Sequence, residues 1–82
     1  MESLPRLKQN FGKIIGQLRA ERGESQQIVA DNCNMERAYV SRLERGISEP
    51  SLSTIITLAE YFELNPGEMV KQVYVLSRKN KK

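Results

Sequence analysis

Three arginines, a serine and an alanine share one side of a short stretch of this chain. Residues 36–45 read Glu-Arg-Ala-Tyr-Val-Ser-Arg-Leu-Glu-Arg and meet no glycine or proline before Gly46. As a helix, each step turns by about 100°. With Arg37 at zero, Ser41, Arg45, Ala38 and Arg42 fill an arc of about 140°. Val40, Leu43 and Ile47 fall near about 240–300°, on the other side, and are expected to dock on a core. No acid lies inside the polar arc. Arginine can grip O6 and N7 of a guanine with two donors at once, serine can donate or accept, and an alanine methyl can lie against a thymine methyl. That is the chemistry of reading base edges in a DNA major groove. The competing explanation is a solvated basic helix face.

The elements that would position this face are also helical. The pattern predicts five helices and no strand. The first covers about 4–22, with Phe11, Ile14, Ile15 and Leu18 at helical spacing and Gly23 as its stop. The second covers about 26–32 behind a capping Ser25, and Asn34 makes the turn, since asparagine tolerates the left-handed region. The third covers about 36–45. The fourth covers about 52–62 behind Ser51, with Leu52, Ile55, Leu58, Ala59 and Phe62 on one face. Asn65-Pro66-Gly67-Glu68 reads as a cap, a first-position proline and an early acid, opening a fifth helix to about Ser77. Two short helices joined by a tight turn over 25–46 are a helix-turn-helix layout. The expected architecture is all-α, with residues 1–77 forming one domain and 78–82 a frayed basic tail.

Composition narrows the function classes. Eighty-two residues allow one small domain. No apolar run approaches the length of a membrane span, and Met1–Pro5 lack the regions of a signal peptide. With one cysteine, Cys33, and no histidine, neither a disulfide framework nor a zinc site is expected, and the reading is a reduced cytoplasmic thiol. The enzyme class is disfavoured: there is no histidine, no base beside the cysteine and no glycine-rich phosphate loop. No cofactor, metal or small-molecule ligand is expected. The net charge of +3 says little about a nucleic-acid partner, because Arg78, Lys79, Lys81 and Lys82 supply four of thirteen bases and leave nine against ten acids before them.

The segment around the basic face resembles a known family. Arg22-Gly23, Ser25-Gln26, Ala30, the run Tyr39-Val40-Ser41-Arg42-Leu43-Glu44-Arg45-Gly46, Pro50-Ser51-Leu52 and Leu58-Ala59 are similar to the Cro/repressor-type, or xenobiotic-response-element-like, helix-turn-helix family. The resemblance covers about residues 8–64 and implies a five-helix, lambda-repressor-like DNA-binding fold. It implies base contacts by Arg37, Ala38, Ser41 and Arg42, with Glu36 either accepting from a cytosine amino group or only capping. It implies phosphate contacts by Ser25, Gln26, Tyr39, Arg45, Ser48 and Ser51, although Tyr39 could instead be a half-buried packing residue. A helix start suits the Gln26 role, because its free N–H groups attract anions. Arg19 and Glu44 match a pair that the family often joins by a salt bridge. Two departures stand out. Glu24 replaces a customary apolar residue, and Ile28 replaces an acid, which removes a hydrophobic staple and a capping box from the second helix.

The last two helices carry more apolar residues than one small core should need. Ile56, Val70, Val73 and Tyr74 are expected to form a two-fold dimer interface, alongside Met69 and Leu76. The length and the wording of residues 36–46 resemble the controller proteins of restriction–modification systems. That resemblance implies a homodimer on a near-palindromic site in double-stranded DNA, a switch between activation and repression, and RNA polymerase as a further partner. An antitoxin that binds a protein partner, or a phage or plasmid repressor, remains open at this level. The basic tail could add non-specific DNA attraction or serve solubility alone.

Overall fold

A computed structural model of the chain describes residues 4–80. It contains α1 (Leu7–Glu21), α2 (Gln26–Asn32), α3 (Arg37–Glu44), α4 (Leu52–Tyr61) and α5 (Pro66–Asn80), with no strand among the described residues. The architecture is all-α, as expected.

Each helix start has a local cause. Ser25 Oγ accepts from Ile28 N at 3.1 Å, and Ser51 Oγ accepts from Thr54 N at 3.1 Å. Asn65 Oδ1 accepts from Gly67 N at 2.8 Å and Glu68 N at 3.3 Å, with Pro66 filling the position that has no N–H to satisfy. Helix α1 starts at Leu7 rather than Leu4. Pro5 disfavours helical geometry at the residue before it, and Arg6 turns left-handed at φ 65° before the helix begins.

The helix stops share one geometry. After α1, α3 and α4, the residue past the cap is left-handed, its N–H returns to the carbonyl three back, and the next N–H returns five back. The residues are Gly23, Gly46 and Glu63, and the closing bonds are Glu24 N to Arg19 O, Ile47 N to Arg42 O and Leu64 N to Ala59 O. Asn34, at φ 57°, closes α2 in the same way through Met35 N to Ala30 O. Glu63, at φ 62°, is the member that turn chemistry would not suggest.

Helix α1 packs on both α3 and α5, α2 packs on α3, and α4 packs on α5. The core lies between them and includes Phe11, Ile15, Val29, Leu43, Leu58, Phe62 and Met69. Four expectations need correction. Val73 and Met69 are buried in this core, because α5 packs that side against α1 and α4, so neither is free to meet a partner. Leu52 is 72% exposed, because it starts α4 at the edge of the packed layer. Ile47 is 53% exposed, because α3 ends at Glu44 and the Gly46 turn carries Ile47 off the helix. Helix α5 does not fray after Ser77. Ser77 is fully buried and Asn10 Nδ2 donates both to its Oγ at 3.0 Å and to Asn80 Oδ1 at 2.9 Å, which holds the end of α5 against α1. Arg78, Lys79 and Asn80 are therefore helical, while Lys81, Lys82 and Met1–Ser3 lie outside the described residues.

Candidate nucleic-acid interface

Helix α3 is seated by a close crossing. A Cβ placed on Gly12 of α1 would collide with Leu43 O and come within 2.8 Å of Glu44 O. One turn on, Gly16 faces the Glu44 carboxylate, at 3.7 Å from a built Cβ. Gly46 does the same from the other side, since its Cβ would stand 2.9 Å from Gln9 Cα while its φ of 72° already favours glycine. Gly12 and Gly16 are absent from the residues expected from sequence to matter. Two glycines four apart within an otherwise good helix are the available signal, because each costs helix propensity and asks for a packing reason.

Three side chains then lock the orientation. Arg19 Nε donates to Glu44 Oε2 at 2.7 Å and Nη2 donates to Glu44 Oε1 at 3.0 Å, a two-toothed ion pair. The same guanidinium donates through Nη1 to Glu24 O at 2.8 Å, and Gln26 Nε2 donates to Glu44 Oε1 at 3.0 Å. One arginine thus joins α1, the loop before α2 and the end of α3. Burial works against the charge on Glu44, but the bonds from Arg19 and Gln26 outweigh it and hold the carboxyl below the usual glutamate range. The Glu44 bond raises the Arg19 pKa above its already high value, against burial. Gln26 keeps one amide hydrogen for another acceptor.

With α3 held this way, Val40 and Leu43 are buried while Arg37, Ala38 and Arg45 are exposed and Ser41 and Arg42 half-buried. Among the described residues the ion pairs are Arg19–Glu44 and Arg22–Glu24, so neither Arg37, Arg42 nor Arg45 is spent on an internal carboxylate. Glu36 sits at the helix start, exposed, with no capping bond from its side chain. Tyr39 is half-buried, with its OH 3.1 Å from Thr54 Oγ1. Ser51 donates to Thr54 Oγ1 at 3.0 Å while capping α4, and its hydroxyl also lies 3.1 Å from Ser53 Oγ. Thr54, having accepted, can donate to Tyr39, which leaves the phenol hydrogen free to point outward. Ser48 Oγ accepts from Arg42 Nε at 3.3 Å. Ser25 Oγ accepts one bond at the α2 cap and keeps its hydrogen.

The loss of the staple at Glu24 is made good by polar contacts. Tyr61 OH donates to Glu24 Oε1 at 2.7 Å, and the Arg22 guanidinium lies over the Tyr61 ring at 4.7 Å and the Phe62 ring at 5.4 Å. Arg22 Nη1 also donates to Tyr61 O at 2.8 Å. The Glu24 bond raises the Tyr61 phenol pKa, with burial adding to it. Ile28 stays largely exposed.

A model of helix-turn-helix proteins matches residues 15–69. The chain belongs to the helix-turn-helix family. Control protein C.BamHI of Bacillus amyloliquefaciens is 30% identical to it over 61 residues, 73% of this chain and 75% of that one. The restriction–modification controller protein C.AhdI of Aeromonas hydrophila has a crystal structure that matches with a TM-score of 0.71 and 34% identity, over 76% of this chain and 94% of that one. This helix-turn-helix protein is thus similar to a control protein and to a restriction–modification controller. The clp gene regulator ClgR of Corynebacterium glutamicum, 19% identical, shares the fold with a TM-score of 0.83 over 95% of this chain and 83% of its own. These relatives are regulators rather than enzymes. Among the described residues, no helix is long and apolar enough to cross a membrane.

Proposed function

We propose that this protein is a restriction–modification controller that binds a near-palindromic operator as a homodimer and sets transcription from it. The observation that carries the reading is the outer face of α3, where Arg37, Ala38, Ser41, Arg42 and Arg45 lie away from the buried Val40 and Leu43 with no internal ion pair among the described residues. In this reading Arg37 and Arg42 grip guanines, Ala38 meets a thymine methyl, and Ser41 takes either a base or a neighbouring phosphate. Glu36 has the free carboxylate to accept from a cytosine amino group. Ser25, Gln26, Arg45 and the outward hydrogen of Tyr39 meet phosphates and set the register. Ser51, exposed where it caps α4, can turn its hydroxyl to a phosphate as well.

The dimer reading draws on exposed apolar residues in pairs one turn apart. Leu52 and Ile56 lie on α4, and Val70 and Tyr74 lie on α5. A two-fold axis near these faces would set two recognition helices about 34 Å apart, one turn of DNA. The bound dimer would meet RNA polymerase where it activates.

Selection of bound duplexes from a random pool, with sedimentation of the free protein, tests the reading. The expected result is a two-fold-symmetric site and a dimer. Arg37→Ala and Arg42→Ala should each cost on the order of 1–3 kcal/mol and relax one base position per half-site, whereas Gln26→Ala should weaken all duplexes alike. A protein that enriches no duplex, or one that remains a monomer at every concentration and on DNA, contradicts it.

A further inference from the structure

Arg42 differs from its two neighbours on the outer face because its guanidinium is already held. Its Nε donates to Ser48 Oγ at 3.3 Å, and its Cζ lies 5.8 Å from the centre of the Tyr39 ring. Both supports are themselves anchored. Tyr39 OH stands 3.1 Å from Thr54 Oγ1, and Thr54 is buried. Ser48 is drawn to Arg42 by the backbone, since Ile47 N and Ser48 N both donate to Arg42 O, at 2.9 and 3.3 Å, in the turn that closes α3. Arg37 and Arg45 have no side-chain partner of this kind among the described residues.

We propose that Ser48 is a positioning residue that sets guanine reading through Arg42, rather than a phosphate contact in its own right. The proposal rests on the reading that α3 lies in a major groove. A guanidinium can present two parallel N–H groups either from its end, Nη1 with Nη2, or from its side, Nε with one Nη. Ser48 occupies Nε and so leaves the end-on pair for O6 and N7 of a guanine. Holding the side chain before binding also removes ordering that the complex would otherwise have to supply, a cost for each rotamer-rich side chain equivalent to roughly a two- to tenfold change in affinity. That gain exists only where a guanine is present to be gripped. On a duplex with another base at that position the Arg42 contact is already lost, and Ser48 has nothing left to improve. A phosphate contact would behave differently, weakening every sequence to the same degree when removed.

The test is duplex selection and affinity measurement with the full chain, comparing wild type, Arg42→Ala, Ser48→Ala, Ser48→Thr and the Arg42→Ala/Ser48→Ala double variant. Arg42→Ala identifies its base by erasing preference at one position per half-site. Ser48→Ala should weaken preference at that same position by roughly two- to tenfold, leave the position read by Arg37 intact, and melt like wild type. Ser48→Thr, which keeps the hydroxyl, should restore the preference. In the Arg42→Ala background the serine change should add nothing, because the two act as one unit. An equal loss on all duplexes, an additive loss in the double variant, or an unchanged preference in Ser48→Ala overturns the proposal while leaving the DNA-binding reading in place. A wild type that selects no duplex overturns both.

Discussion

Glu44 and Glu24 both tie the first helix to later elements of the chain, yet they stand in different surroundings. Glu44 is 11% exposed in its side chain, receives Arg19 at 2.7 Å through a two-toothed contact, and takes Gln26 as a third donor. Glu24 is 20% exposed, faces Arg22 at 3.5 Å across a more open gap, and has a neutral phenol as its short partner. The same pair of residue types therefore makes a shielded, geometrically defined joint at the root of α3 and a looser one at the corner where α1, α2 and α4 meet. Charge pairs gain little where water screens them and are costly to break where it does not. The contrast predicts that α3's orientation depends on the first joint, while the second mainly secures the loop that leads into α2.

The largest effect should come from the crossing beneath the Glu44 joint. Gly12→Ala forces a methyl against Leu43 O and Glu44 O, backbone atoms that cannot move without shifting α3. A loss of about 3 kcal/mol in a urea melt is expected; a loss below about 0.5 kcal/mol would show that the crossing is softer than the distances say. Next comes Glu44→Gln, which keeps the shape but takes away the charge and should cost about 2 kcal/mol.

Acid makes the same change without mutation. The Glu44 carboxyl sits below its ordinary range when folded, so its contribution is complete above the unfolded value of about 4.3 and fades as pH falls through the lower folded value. Wild type should thus lose more stability on acidification than Glu44→Gln. Identical pH profiles in thermal melts would remove Glu44 as the cause.

At the corner, Tyr61→Phe deletes the 2.7 Å bond and should cost about 1 kcal/mol. Because the folded phenol pKa is raised, the stabilisation is present below the unfolded value of about 10 and is lost as pH climbs through the folded one. A Tyr61→Phe cost as large as that of Glu44→Gln would erase the distinction between the joints. The smallest effect has the opposite sign. Glu63 ends α4 in a left-handed conformation with a side chain, so Glu63→Gly should stabilise by about 0.5 kcal/mol in the same melts.

Much of the frame was legible in the residues. Ser25, Ser51 and Asn65 act within three positions of themselves, as do Gly23, Asn34 and Gly46, so caps and turns need no knowledge of distant chain. Glu63 escaped because a left-handed stop is signalled by glycine or asparagine, and a glutamate gives no such sign. The two faces of α3 followed from period alone. What period could not convey is how much of each arc a neighbour covers. Val73 and Tyr74 differ by one step on α5, yet one is core and the other open, and Ile47 left its predicted face as soon as the helix ended a turn short of it. Asn10 gave no sign that it would reach 67 and 70 residues ahead to Ser77 and Asn80.

Local geometry is written in the string of residues, because a cap, a left-handed turn or a helical stripe depends on neighbours a few bonds away. The string alone therefore specified five helices, the stops of the first three, and a basic face opposite an apolar one. Which side chains hold that face at a set angle is a different kind of fact. It arises where Gly12 admits the α3 backbone, where Arg19 meets Glu44 and Gln26, and where Ser48 comes round to Arg42. Those contacts exist only after the helices have packed, since their geometry is fixed by the crossing of whole elements rather than by any one segment's preference.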